Sequence, residues 1–144
     1  VVDENQSYIN EKGTGFKRFI PAIFARLVTE RLEEKIGTEL LIKVTAPPQL
    51  VRNRKSRPDE WEQSVIEGKF LDPEWTRGEV FYQTQPNAGR DAFRVMVPEY
   101  YAASCVSCHG QKKGEVDITG YPKEGANEGD LGGVISITLF RRQQ

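Results

Sequence analysis

The feature that most constrains this chain is the run Cys105-Val106-Ser107-Cys108-His109. Its C-x-x-C-H spacing is the attachment pattern for c-type haem. Two thiols three positions apart can reach two vinyl groups on one edge of a porphyrin, and the next residue can place its imidazole under the iron. The sequence therefore predicts one haem c per chain, attached covalently through Cys105 and Cys108, with His109 as the proximal iron ligand.

Other interpretations of this motif remain open. A zinc site needs about four ligands, and the chain has only two Cys and one His. A thioredoxin-like dithiol would lie at a helix start within a βαβ pattern, whereas this segment follows a predicted strand and precedes a Gly-rich loop. A structural disulfide would leave the adjacent His109 without a role.

Few residues of the chain could serve as the second axial ligand of the iron. His109 is the only histidine, Met96 is the only methionine, and both cysteines would be consumed by thioether bonds. The distal ligand is therefore Met96, an unusual donor such as Lys or Tyr, water, or nothing. Met96 lies in a predicted strand, where core packing is the other interpretation. A vacant apolar distal face would suit a diatomic gas or a redox switch.

Composition and charge exclude several classes of protein. The 144 residues, 38% hydrophobic and 28% charged, suit one soluble domain over 1–144, with 1–15 as a frayed entry segment. The net charge of −1 argues against a nucleic-acid partner. No uncharged stretch approaches the roughly 20 residues that span a bilayer. Because residue 1 is Val, we expect a piece of a longer protein, with any membrane contact through flanking segments.

The apolar residues between Phe16 and Ile36 recur at helical spacing. This pattern predicts a long amphipathic helix that starts or bends at Pro21 and stops at Gly37. A second, short helix is predicted from a cap at Asp59 through Glu67. The apolar stripe of the long helix is a candidate haem cover and also a possible dimer seam.

Four segments with strand patterns complete an α+β assignment. The segments at 79–84 and 92–97 are predicted to form an antiparallel hairpin around a turn that contains Asn87 and Gly89. Residues 98–130 are mostly irregular, which is unusual in a compact domain unless the stretch is functional or wraps a ligand. The predicted strands are Glu39–Thr45, Glu79–Thr84, Ala92–Val97 and Leu131–Phe140.

Several segments occur together in an order that resembles a known family. They include Phe19 to Arg26, Val51-Arg52-Asn53-Arg54 followed by Arg57 to Glu62, Cys105 to Gly110, and Tyr121-Pro122 with Gly129 to Gly133. With them, the chain resembles the single-haem c-type PAS-like sensor domains of bacterial extracytoplasmic receptors. The resemblance implies a sheet of about five antiparallel strands with a long N-terminal helix, so a fifth strand is expected in 69–78 or 111–121. Some relatives carry a distal cysteine on that helix, where this chain has Phe24 and its neighbours.

The resemblance also implies a function and a set of pocket residues. We expect a periplasmic, non-enzymatic sensor of redox state or of a gas such as CO or NO. The alternative is a small electron-transfer cytochrome with a redox partner protein; a peroxidase is disfavoured because no distal histidine is left. Arg52 is expected near the haem propionates, since Arg pairs well with carboxylates. The candidate pocket residues are Arg52, Phe19, Ile23, Phe24, Leu27 and Tyr121.

Overall fold

The computed structural model describes residues 20–141, and this part of the chain is an α+β structure with an antiparallel sheet of four strands. The short helix at Glu60–Val65 continues into a π-helical turn at Ile66–Phe70. Within the described range, no helix is long and apolar enough to cross a membrane. The elements in chain order are α1 (Pro21–Ile36), β1 (Leu40–Thr45), α2 (Glu60–Val65), β2 (Phe81–Thr84), β3 (Ala92–Tyr100), α3 (Val106–His109) and β4 (Leu131–Phe140).

In the part of the chain that the structure describes, helix α1 begins at Pro21. A proline is tolerated in the first helical position because its missing N–H would have no intrahelical partner there. The predicted stop is also confirmed, since Gly37 has a φ of 75° and glycine adopts this conformation without strain. The predicted helical residues before residue 20 lie outside the described part of the chain.

The strands form one sheet in the order β1-β4-β3-β2. Strand β1 pairs antiparallel with β4, and β2 pairs antiparallel with β3. The β2–β3 hairpin closes with mutual backbone hydrogen bonds of 3.0 Å between Asn87 and Arg90. The two central residues have positive φ, 49° at Ala88 and 76° at Gly89, as a type I′ hairpin turn requires. The predicted hairpin is therefore confirmed.

The sheet has four strands in the described chain, fewer than the expected five or so. Residues 69–78 begin inside the π-helical turn and continue through tight turns around Pro73. Residues 111–121 supply only an isolated bridge between Val116 and Pro122. A proline has no N–H with which to extend a ladder, so this bridge does not grow into a strand.

The described residues fall into two compact units. One combines residues 20–24 with Tyr100–Leu131, and the other combines Ala25–Glu99 with residues 132–141. The second unit contains most of the sheet together with α2. The buried apolar side chains that α2, the π-helical turn, β3 and β4 contribute to this unit are Val65, Ile66, Phe70, Ala92, Met96 and Val134.

A buried cluster of charged side chains joins α2 to the sheet in the second unit. The Glu62 side chain is only 2% exposed, and its carboxylate pairs with Lys43 Nζ at 2.6 Å and with an Arg94 guanidinium nitrogen at 3.3 Å. The same Arg94 nitrogen contacts Asp59 at 2.6 Å, and its guanidinium lies over the Trp61 ring, 4.2 Å from the centroid. Asp59 and Glu62 also form the capping box of α2. These motif residues therefore hold α2 on the sheet.

Replacing Arg94 by Met should destabilise the protein strongly, because the buried Glu62 carboxylate loses one of its two cationic partners. We expect a loss of about 3 kcal/mol in the free energy of unfolding. This value is at the low end of the cost of breaking a buried ion pair, because Lys43 still neutralises Glu62. Urea denaturation followed by far-UV circular dichroism measures this. Arg26→Ala is the control, because the Arg26–Glu30 pair is half exposed and should contribute less than about 0.5 kcal/mol. If both variants lost the same free energy of unfolding, the buried Arg94–Glu62 pair would not be a major source of stability.

Asp59 should make the stability depend on pH in the acid range. Burial raises the pKa of Asp59, but the hydrogen bonds from Arg94 and from the Glu62 N–H, together with the Arg94 and Lys43 charges, lower it below the ordinary 3.8. A lowered pKa in the folded state gives stability that is present above pH 3.8 and is lost as the pH falls through the folded-state pKa.

Asp59→Asn tests this contribution, since Asn still caps a helix but carries no charge. We expect a loss of about 1 kcal/mol at neutral pH, modest because Asp59 is partly exposed. In urea titrations at a series of pH values, the difference from the parent should shrink as the pH falls below 3.8 and vanish only below the folded-state pKa of Asp59. A difference that stays constant down to pH 3 would rule out the charge as its source.

Candidate haem-binding site

The C-x-x-C-H residues form a single helical turn in the first unit. The N–H groups of Cys108 and His109 both donate to the Cys105 carbonyl at 3.1 Å. Residues three apart on a helix lie on the same side, so this turn presents both cysteines in one direction. Neither cysteine forms a disulfide, and both are half-buried. The geometry therefore suits two sulfur bonds to one flat molecule.

The imidazole of His109 is held by two oxygen-bearing side chains. Its Nδ1 lies 2.9 Å from Glu124 Oε2 and 3.2 Å from the Tyr101 hydroxyl. The Tyr101 ring also stacks on the imidazole, with 4.9 Å between centroids and 25° between planes. Because Nδ1 is engaged in this way, coordination of a metal falls to Nε2.

Backbone hydrogen bonds fix both partners of the imidazole. The N–H groups of Gly125 and Ala126 donate to the His109 carbonyl at 3.0 and 2.8 Å, which ties the segment after Glu124 to the helical turn. The Tyr101 N–H donates to Asp130, and its carbonyl accepts from Gly129 at 2.7 Å. The loop that sequence alone left irregular is thus ordered around His109.

The donor set of this site fits a c-type haem. Two thiols one helical turn apart can form thioether bonds, and an adjacent imidazole with Nδ1 hydrogen-bonded to a carboxylate is a usual form of an iron ligand. Among residues 20–141, no group of three or more His, Cys, Asp and Glu side chains is arranged to hold a bare metal ion.

Met96 lies in the second unit, on the sheet face that packs against α2. Its side chain is 0% exposed. It shares this face with Arg94, since side chains alternate along β3, and its register partner is Phe81. The packing favours the core interpretation of this methionine, and its predicted role as a distal ligand stays a prediction.

The other predicted pocket residues are distributed over both units. Ile23, Phe24 and Tyr121 belong to the first unit and are exposed, Phe24 to 54%. Leu27 is exposed and Arg52 is half-buried, both in the second unit. Phe19 lies outside the described residues. The structure brings together Cys105, Cys108 and His109, while the pocket roles of the others stay predictions.

Sequence reasoning missed the residues that support the imidazole. Tyr101 and Glu124 belong to no recognised motif, and an acidic or aromatic residue in an irregular loop carries no pattern of its own. The position of Gly110 could have been noticed in the sequence, because this residue directly follows the C-x-x-C-H run. It is buried, and a Cβ there would lie 2.5 Å from the Val106 carbonyl oxygen.

Comparison with known proteins gives one match. The model of a family described as Tll0287-like matches residues 1–139. No curated protein and no solved structure matches the chain.

Gly110→Ala should distort the turn that carries His109, because the added methyl group meets backbone atoms that cannot move aside. Overpacking of this kind costs about 1–3 kcal/mol, so thermal unfolding should occur at a lower temperature. Gly68→Ala is the matched control, since nothing lies within 4 Å of a Cβ at that position. If Gly110→Ala unfolds at the parent's temperature, the close approach to Val106 is not a constraint.

Proposed function

Because the chain belongs to the Tll0287-like family of cytochrome c-like sensor domains, we propose that it is a bacterial extracytoplasmic haem-based sensor domain with a PAS-like arrangement. It detects redox state, or a diatomic gas such as CO or NO, through one covalently bound c-type haem. The observation that carries this proposal is the helical turn in which two cysteines that form no disulfide adjoin an imidazole whose Nδ1 is hydrogen-bonded to Glu124. The extracytoplasmic location and the signal, redox state or a gas, are both part of this proposal.

Each residue of the turn has a distinct task. Cys105 and Cys108 hold the porphyrin edge through thioether bonds, so that the cofactor cannot dissociate. His109 supplies Nε2 to the iron, while Tyr101 stacks on the ring and restricts its rotation. When bound, the haem supplies an iron that changes oxidation state or takes up a small ligand.

The distal side of the iron has no strong protein ligand in at least one redox state. The chain has no second histidine and no further cysteine. The one methionine, Met96, is fully buried on the sheet face that packs against α2, where it fills the core. A site without a second strong ligand suits sensing, whereas methionine ligation would favour the electron-transfer alternative.

Covalent attachment is the first test of this proposal. The chain expressed together with a haem c attachment system should retain its haem after denaturation and extraction with acidified organic solvent. Cys105→Ser/Cys108→Ser should lose all covalent haem, while Ser107→Ala, which changes a neighbouring residue of the same turn, should retain it. Haem that extracts completely from the denatured parent protein would refute the proposal.

Ligand binding to the reduced protein distinguishes a haem-based sensor from an electron-transfer cytochrome. We expect the ferrous haem to bind CO, with an absorption spectrum that Met96→Ala leaves unchanged. His109→Ala should alter the spectrum, because the proximal nitrogen is lost. A six-coordinate ferrous haem that refuses CO in the parent and accepts it in Met96→Ala would identify methionine as the ligand and support the electron-transfer cytochrome.

A further inference from the structure

Glu124 is the anionic partner of the only histidine in the chain. Its side chain is 16% exposed, and its Oε2 lies 2.9 Å from His109 Nδ1. A carboxylate partly removed from water forms a stronger hydrogen bond than an exposed one. The contact therefore differs from an ordinary surface ion pair, which solvent screens.

The hydrogen bond fixes which nitrogen of the imidazole carries the proton. An ionised carboxylate can only accept, so Nδ1 must donate to Glu124. The Tyr101 oxygen, at 3.2 Å from the same nitrogen, shares this N–H as a second and more distant acceptor. In the neutral ring the proton then resides on Nδ1, and Nε2 presents its lone pair.

Hydrogen bonds of the adjacent loop residues hold the main chain at Glu124 in place. The two residues that follow it donate hydrogen bonds to the His109 carbonyl, and the Gln111 side-chain amide donates to the Gly125 carbonyl at 3.1 Å. The loop thus fixes the main chain of His109 and carries the carboxylate that contacts its side chain. Such double attachment keeps the carboxylate close to Nδ1.

We propose that Glu124 is a positioning residue that sets the electronic character of the proximal ligand. A carboxylate on Nδ1–H gives the imidazole more anionic character and makes Nε2 a stronger donor. A stronger donor stabilises ferric over ferrous iron and so lowers the reduction potential, which hydrogen bonding around the ligands tunes. This inference rests on the proposed haem function, and it assigns to Glu124 the setting of the sensor's working range.

The test compares Glu124→Gln with the parent holoprotein. Gln keeps the shape and can still accept a hydrogen bond, but it removes the negative charge. We expect a higher midpoint potential and a lower iron–histidine stretching frequency in the resonance Raman spectrum of the ferrous five-coordinate form. Glu124→Asp, which keeps the charge, should restore part of both shifts.

Glu115→Gln is the matched control. It removes the same charge from the same unit, but the Glu115 carboxylate is 52% exposed and pairs with Lys123 at 3.1 Å. Its effect on potential and on stretching frequency should be small. Equal shifts in the two variants would mean that general charge, and not the contact with Nδ1, sets the potential.

Failure of this inference can be told apart from failure of the haem proposal. If the parent carries covalent haem and Glu124→Gln leaves both potential and stretching frequency unchanged, the role of Glu124 is refuted while the haem function stands. If the parent carries no haem, nitrogen-15 NMR of the neutral imidazole in the full chain still reports the tautomer. A single histidine gives one unambiguous signal set, and a proton on Nε2 would overturn the assignment.

Discussion

Burial of the Glu62 carboxylate imposes an electrostatic constraint on the unit that contains most of the sheet. Removing an ionised group from water costs several kcal/mol unless opposite charges surround it, and here they come from two different strands. Lys43 approaches from β1 and Arg94 from β3, while Glu62 itself belongs to α2. The helix can therefore occupy only the position that brings all three charges together.

Elements with clear local signals could be predicted closely from the sequence. Helix α1 has its limits set by Pro21 and Gly37, and the predicted limits of β4 agree with the structure. Strand β3 was predicted to end at Val97, yet it continues to Tyr100. Proline removes only one donor and suits extended backbone, so Pro98 does not end the strand. The π-helical continuation of α2 buries Ile66 and Phe70, a tertiary effect that no local pattern reports.

The candidate site was predictable only where its residues are neighbours in sequence. The thiols and the imidazole lie within one turn, so their spacing carries their geometry. Tyr101 and Glu124 reach the same imidazole from 8 and 15 residues away, through a loop whose path depends on its own hydrogen bonds. Asp59, Trp61 and Glu62 illustrate the opposite case, because these residues contributed to the family resemblance and yet serve the stability of the sheet.

The two hydrogen bonds that the His109 carbonyl accepts couple this peptide mechanically to the next loop. Each such bond contributes about 0.5–1.5 kcal/mol, so the carbonyl cannot move far unless residues 125–126 follow it or both bonds break. The Glu124 carboxylate would be carried along with that displacement. As long as both bonds hold, a displacement of the His109 peptide is therefore passed on to main chain about 15 residues further along the chain.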